Sequence, residues 1–70
     1  MAEVLELGKR IGSTIRVFAR DGREIKGVLR TCDEHQNLVL EEAEEYWDQK
    51  LVRKHKFLFL KGGNIRIVEV

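Results

Sequence analysis

From Thr14 onward, apolar and polar residues alternate with the two-residue period of a half-buried strand. In the first such segment Ile15, Val17 and Ala19 fall on one side, and Arg16, Phe18 and Arg20 on the other. Asp21-Gly22 follows, a pair suited to a tight hairpin because glycine takes positive φ without steric cost. A second strand returns with Ile25, Leu29 and Thr31 alternating, interrupted by Gly27. A glycine inside a strand marks a sharp bend or the close approach of another backbone. Taken along the whole chain, the pattern predicts strands over about 14–20, 23–32, 37–45, 50–60 and 64–70. Ahead of them, Val4, Leu7 and Ile11 share a face at helical spacing, with Gly12 placed to end the helix. A helix over about 2–11 is marginal alone, so it is expected to lie across the open end of the sheet. Strong bending at Gly27 is how a short sheet curls into a barrel. The expected architecture is mainly β: a short N-terminal helix, then a strongly bent five-stranded antiparallel barrel, in one domain over 1–70.

The third and fourth strands carry opposite charges, Glu41-Glu42-Ala43-Glu44-Glu45 and Lys50 to Lys56, on either side of Tyr46-Trp47-Asp48-Gln49. With the turn centred near Trp47 and Asp48, Glu45 faces Lys50 and Glu42 faces Arg53. Each such cross-strand pair contributes about 0.2–1 kcal/mol. This makes the basic run a hairpin partner in preference to a nucleic-acid patch. The last two segments, Phe57 to Leu60 and Ile65 to Val70, are apolar on both faces and both faces should be covered. Exposed apolar edges invite pairing with another chain, and head-to-tail pairing that closes gives a ring.

Size strengthens that expectation. A chain of 70 residues buries only roughly 60% of the surface its unfolded form exposes. Small cores commonly need a disulfide, a metal or self-association. The single cysteine, Cys32, excludes an internal disulfide and a thiolate zinc cluster, which leaves self-association. Cys32 itself reads as a small hydrophobe filling core. The net charge of +1 supplies no global attraction for a polyanion, so any nucleic-acid site must be local. No apolar run approaches a membrane span and the N-terminus lacks a signal-peptide layout, so a cytoplasmic location is expected.

Two polar turns carry the candidate chemistry. The first, within Arg30 to Leu40, places Asp33, His35 and Asn37 at alternating positions, facing one way if the backbone stays extended. A plainer reading is that Asp and Asn favour turns because their side chains bond nearby amides. The second is Lys61-Gly62-Gly63-Asn64, between the last two strands. Two such turns can meet on one side of a small barrel.

With these elements the chain resembles the Sm and Sm-like (Lsm) family, most like its archaeal members. The first family motif runs from Ile15-Arg16-Val17 through Asp21-Gly22-Arg23 and Gly27-Val28-Leu29 to Asp33-Glu34-His35-Gln36-Asn37-Leu38-Val39-Leu40; the second is Leu60-Lys61-Gly62-Gly63-Asn64-Ile65. The resemblance implies an SH3-type barrel. It also implies a ring, usually of seven subunits in archaea and six in bacterial relatives, with the fourth strand of one subunit paired to the fifth of its neighbour. It further implies single-stranded uridine-rich RNA at the inner rim. His35 would stack on a base, Asn37 read its edge, Asp33 prop the loop and Lys61 cover the base from the other side; Gly62 and Asn64 complete the RNA-binding set. Many relatives carry Arg-Gly-Asp-Asn in the second motif. Lys61 is instead a point charge that stacks less well than a guanidinium, and Gly63 carries no carboxylate. Gln36 and Cys32 likewise stand where apolar and aromatic residues are usual. Two functions are therefore carried forward: an RNA-binding ring acting as scaffold or chaperone in RNA processing, and a ring-forming protein-assembly scaffold with weak or no base-specific RNA binding. No nucleophile–base pair, phosphate loop or metal-ligand spacing suggests an enzyme, a cofactor or a small-molecule substrate.

Overall fold

The computed structural model describes residues 7–70 of the chain. Five antiparallel strands follow one another: β1 (Thr14–Ala19), β2 (Glu24–Cys32), β3 (Leu38–Trp47), β4 (Lys50–Leu60) and β5 (Ile65–Glu69). A single turn of 3₁₀-helix, Gly62–Asn64, joins the last two. The strands form one sheet in the order β4-β3-β2-β1-β5.

Two expectations about this architecture are corrected. Residues 2–6 of the expected helix lie outside the described residues; within them only Leu7 and Gly8 are helical, and a turn occupies 9–12. That turn is tied to the sheet, since Gly12 donates to the Leu29 carbonyl (2.7 Å) and Leu29 to that of Ser13 (2.9 Å). Gly12 takes the left-handed conformation (φ +92°) and Leu7 joins the core, but no helical element precedes β1 among the described residues. The sheet, moreover, is not closed into a barrel. The 3₁₀ turn delivers the chain to β1, where Ala19 pairs with Ile65 and Val17 with Val68. β5 therefore bonds β1 and not β4, and both outer strands keep a free edge. Bending curves a sheet; closure needs the two edges to pair with each other, and here they do not.

The bend itself sits at Gly27. Lys26 pairs with Glu44 and Val28 with Glu41, so Glu42 and Ala43 together oppose one residue of β2. This is a β-bulge, with Glu42 in the left-handed region (φ +52°). A Cβ at Gly27 would lie 3.1 Å from the Glu41 carbonyl oxygen and 3.2 Å from Ala43 Cα, so the missing side chain is what admits the bulge. The bulge also shifts the phase of β3. Leu38 and Leu40 point into the core before it, Ala43 and Glu45 after it. With Ile15, Val17, Ala19, Ile25, Leu29, Leu60, Ile65 and Leu7 the buried apolar residues form one cluster, against which Cys32, Leu58 and Val68 pack.

The β3–β4 register differs from the charge-pairing expectation. Trp47 pairs with Lys50 across a two-residue turn in which Asp48 and Gln49 both have positive φ (49° and 66°). Such a turn matches the twist of the flanking strands. Tyr46 pairs with Leu51 but Glu45 with Arg53, which leaves Val52 as an extra residue in β4. Glu45 thus faces Arg53 and not Lys50, while Glu42 lies between the pairs Glu41–Phe57 and Ala43–His55. Nor do the described residues cover both faces of β4: Phe57 and Phe59 are 58% and 57% exposed.

Glu45 is the buried charged residue of the described structure, at 4% exposure. His55 Nε2 lies 3.0 Å from its Oε1 and Arg23 Nη1 3.4 Å from its Oε2. The hydrogen bond with His55, and then those from Arg23, hold its carboxyl below the ordinary value against the opposing effect of burial. A carboxyl whose folded pKa is depressed adds stability above its unfolded pKa, about 4.3, and that stability is lost as pH falls through the folded value. Asp21 and Asp33 are shifted in the same direction. The urea midpoint is expected to fall as pH drops below about 5. Glu45→Gln should flatten that dependence without abolishing it; an unchanged slope in the variant would remove Glu45 from the linkage.

Candidate nucleic-acid interface

The segment between β2 and β3 is a turn built on Asp33, not an extended run. Gln36 N–H donates to the Asp33 carbonyl (3.0 Å), and Gln36 itself takes φ +65°. Asp33 Oδ1 accepts from the backbone N–H of His35 (2.9 Å) and of Asn37 (3.0 Å). Its Oδ2 accepts from Asn37 Nδ2 at 3.0 Å. The backbone hydrogen bond from Asn37, followed by the one from its side chain, holds the Asp33 carboxyl below its usual range. The alternation of Asp33, His35 and Asn37 is therefore not that of a strand. A carboxylate gathers the loop's amides, as Asp does in turns.

The same loop meets the second turn. Asn37 Oδ1 accepts from Gly62 N–H at 2.8 Å, across 25 positions of sequence. The carboxamide orientation is fixed by chemistry, because a carboxylate only accepts and a peptide N–H only donates. One Nδ2 hydrogen and the remaining oxygen lone pair of Asn37 have no partner in these bonds. Close contact needs glycine at 62, since a Cβ there would stand 2.2 Å from the His35 carbonyl oxygen. His35 and Lys61 are both exposed, on the two turns so joined. An exposed imidazole, an exposed ammonium and a half-satisfied carboxamide at one junction can offer a flat face, a positive charge and a donor–acceptor pair.

Asn64 closes the second turn by donating its N–H to the Lys61 carbonyl (2.9 Å) and accepting from Arg20 N–H at its own carbonyl (2.8 Å). Arg20 Nε also donates to the Gly63 carbonyl at 3.1 Å. The pattern of the chain gave no sign of Arg20, which is 43 positions from Gly63. Cys32, beside the loop, is half-buried against the core. Among the described residues no group of three or more His, Cys, Asp or Glu is placed to hold a metal ion.

The LSM-domain model matches residues 5–70. The chain belongs to the Sm-like family. Its sequence is 39% identical over 59 residues to a putative snRNP Sm-like protein of Methanococcoides burtonii, covering 84% of this chain and 82% of that one. The crystal structure of a heptameric archaeal Sm protein superposes with a TM-score of 0.85 at 37% identity, covering 93% of this chain and 94% of the other. The fold is also that of the Pyrococcus abyssii Sm protein solved with a uridine heptamer, at TM-score 0.92, 23% identity, and 99% and 97% coverage. The two turns joined through Asn37 fall on the two motifs by which the sequence resembles this Sm-like family.

Gly62→Ala should force the two turns of this Sm-like chain apart. The expected loss is about 1–3 kcal/mol in urea unfolding, as for other overpacked sites. Faster hydrogen exchange at the amide of residue 62 should accompany it; unchanged exchange there would show that the junction tolerates the methyl group.

Proposed function

We propose that this protein forms a ring that binds single-stranded, uridine-rich RNA and serves as a scaffold or chaperone in RNA processing. The observation that carries the reading is the Asn37 carboxamide, held between Asp33 and Gly62 with one donor and one acceptor left over. Uracil presents both an acceptor and a donor on its pairing edge, so a carboxamide fixed in one orientation can meet both. His35 supplies the stacking face and Lys61 a charge on the opposite turn. Gly62 and Asn64 hold that turn in place, and Asp33 props the loop. Splayed single-stranded bases are recognised in this way, by stacking together with edge hydrogen bonds. The Pyrococcus abyssii protein of the same fold, solved with a uridine heptamer, supports the assignment.

The two free edges support the ring. β4 exposes Phe57 and Phe59 and β5 exposes Ile67, at opposite ends of the strand order. Pairing β4 of one subunit with β5 of the next satisfies both edges and covers these side chains, and the heptameric archaeal relative sets seven as the expected number. Repeating one modest pocket around the ring raises affinity through effective concentration.

Oligouridine should bind more tightly than oligocytidine at two salt concentrations. His35→Ala should weaken binding by about 1–3 kcal/mol per stacked base, and Asn37→Ala should erase the preference between bases. Equal, strongly salt-dependent binding of both oligomers would leave only phosphate contacts and favour the protein-assembly role. Separately, native mass spectrometry should find a seven-subunit species that Phe59→Asp disperses; a folded monomer at micromolar concentration would overturn the ring.

A further inference from the structure

Arg20, like Arg66 on β5, forms no ion pair among the described residues, but it alone of the two is tied to the second turn. Arg16, Arg23 and Arg30 each meet a carboxylate: Glu24, Asp21 and Glu41 respectively. The Nε of Arg20 is held instead by the Gly63 carbonyl at 3.1 Å, and its backbone N–H by that of Asn64. A carbonyl fixes a guanidinium in place without neutralising it. The neighbouring acid does not neutralise it either, since Asp21 accepts from both the backbone N–H (3.0 Å) and Nε (2.9 Å) of Arg23. Gly63 adds no carboxylate to the turn, and the space around its missing side chain is open.

From this we infer that Arg20 contacts a phosphate of the bound RNA, and so belongs to the binding site although it lies outside both polar turns. The inference rests on the RNA-binding reading above. In that reading a base occupies the junction of His35, Asn37 and Lys61, and a linking phosphate that leaves past the rest of the second turn meets Arg20. Gly63 and Asn64, the residues that Arg20 holds, form the far end of that turn from Lys61. With Nε engaged, the two terminal nitrogens of the exposed guanidinium keep four N–H donors, enough for two phosphate oxygens. An arginine locked onto a backbone carbonyl also gives up less side-chain freedom when the anion arrives than a free one does. Arg20 thereby supplies the guanidinium that Lys61 lacks, directed at the backbone and not at the base.

The test compares the intact wild-type ring with Arg20→Gln and Arg20→Lys, using fluorescent heptauridine and heptacytidine across a salt series. Native mass spectrometry confirms the same oligomer in each. Gln keeps an N–H donor for the Gly63 carbonyl but removes the charge; Lys keeps the charge. Arg20→Gln should make the dependence of log affinity on log salt shallower by about 0.7 for each phosphate that Arg20 neutralises, with the uridine preference unchanged. Arg20→Lys should retain the wild-type slope. If Arg20→Gln keeps the wild-type slope, the residue only braces the turn and the inference fails. If it abolishes the uridine preference in an intact ring, Arg20 shapes the base pocket and the inference fails in another way. No binding of either oligomer by the wild-type ring would overturn the RNA-binding reading itself, a result seen before any variant is measured.

Discussion

A carboxamide caught between a carboxylate and a peptide N–H holds the candidate site together. Asn37 reaches Asp33 within its own loop and Gly62 in the turn after β4. Each partner accepts only one orientation of the amide, so the geometry is decided before any ligand arrives. The bond can form because position 62 has no side chain to keep the loops apart. The positions of His35, Lys61 and Arg20 relative to one another all follow from that joint and from the hydrogen bonds of Asn64. The two accounts of Asp33, as turn-former and as part of a functional cluster, are not rivals. It gathers the loop's amides, and in doing so aims Asn37.

Local periodicity was legible in the chain and long-range registration was not. Ile15, Val17, Ala19, Ile25 and Leu29 show their inward face directly, and Gly27 announces the bend and the close backbone at that point. The pairing of β3 with β4 could not be read from charge. It depends on a two-residue turn and an extra Val52, which are backbone offsets and not side-chain chemistry. For the same reason Glu45 looked like one more surface acid in a run of acids, when the bulge at Glu42 had turned it inward to meet His55 and Arg23. The spacing of Val4, Leu7 and Ile11 suggested a helix, yet what the described residues show is a turn, with Leu7 buried and Gly12 bonded to β2. Bending was read as closure because both need glycine and bulges; only the partner that β5 takes separates them. At the site, the residue types were visible and the tie between turns was not, and Arg20 carried no signal at all.

The two free edges are not equivalent along their length. The first half of β4 carries Lys50, Arg53, Lys54 and Lys56, and the extra Val52 disturbs its ladder. Charges and bulges of this kind discourage indiscriminate strand addition. The second half carries Phe57 and Phe59 on an undisturbed ladder against β3. One strand therefore both repels casual partners and offers a sticky segment of limited length, which β5, five residues long, is the right size to cover.

The phase change at Glu42 has a consequence for how this chain tolerates insertion and deletion. On either side of it β3 obeys opposite rules for which positions face inward, so the strand behaves as two short ones spliced without a loop. Losing Glu42 alone would restore plain alternation, with Ala43 and Glu45 still facing inward opposite Gly27 and Ile25, and would remove the bulge. The cost would fall on the other neighbour, because the β3–β4 ladder runs unbroken through Glu42 and would be put out of step by one residue beyond the cut. Length at that point is thus held by β4, even though Glu42 itself lies on the surface.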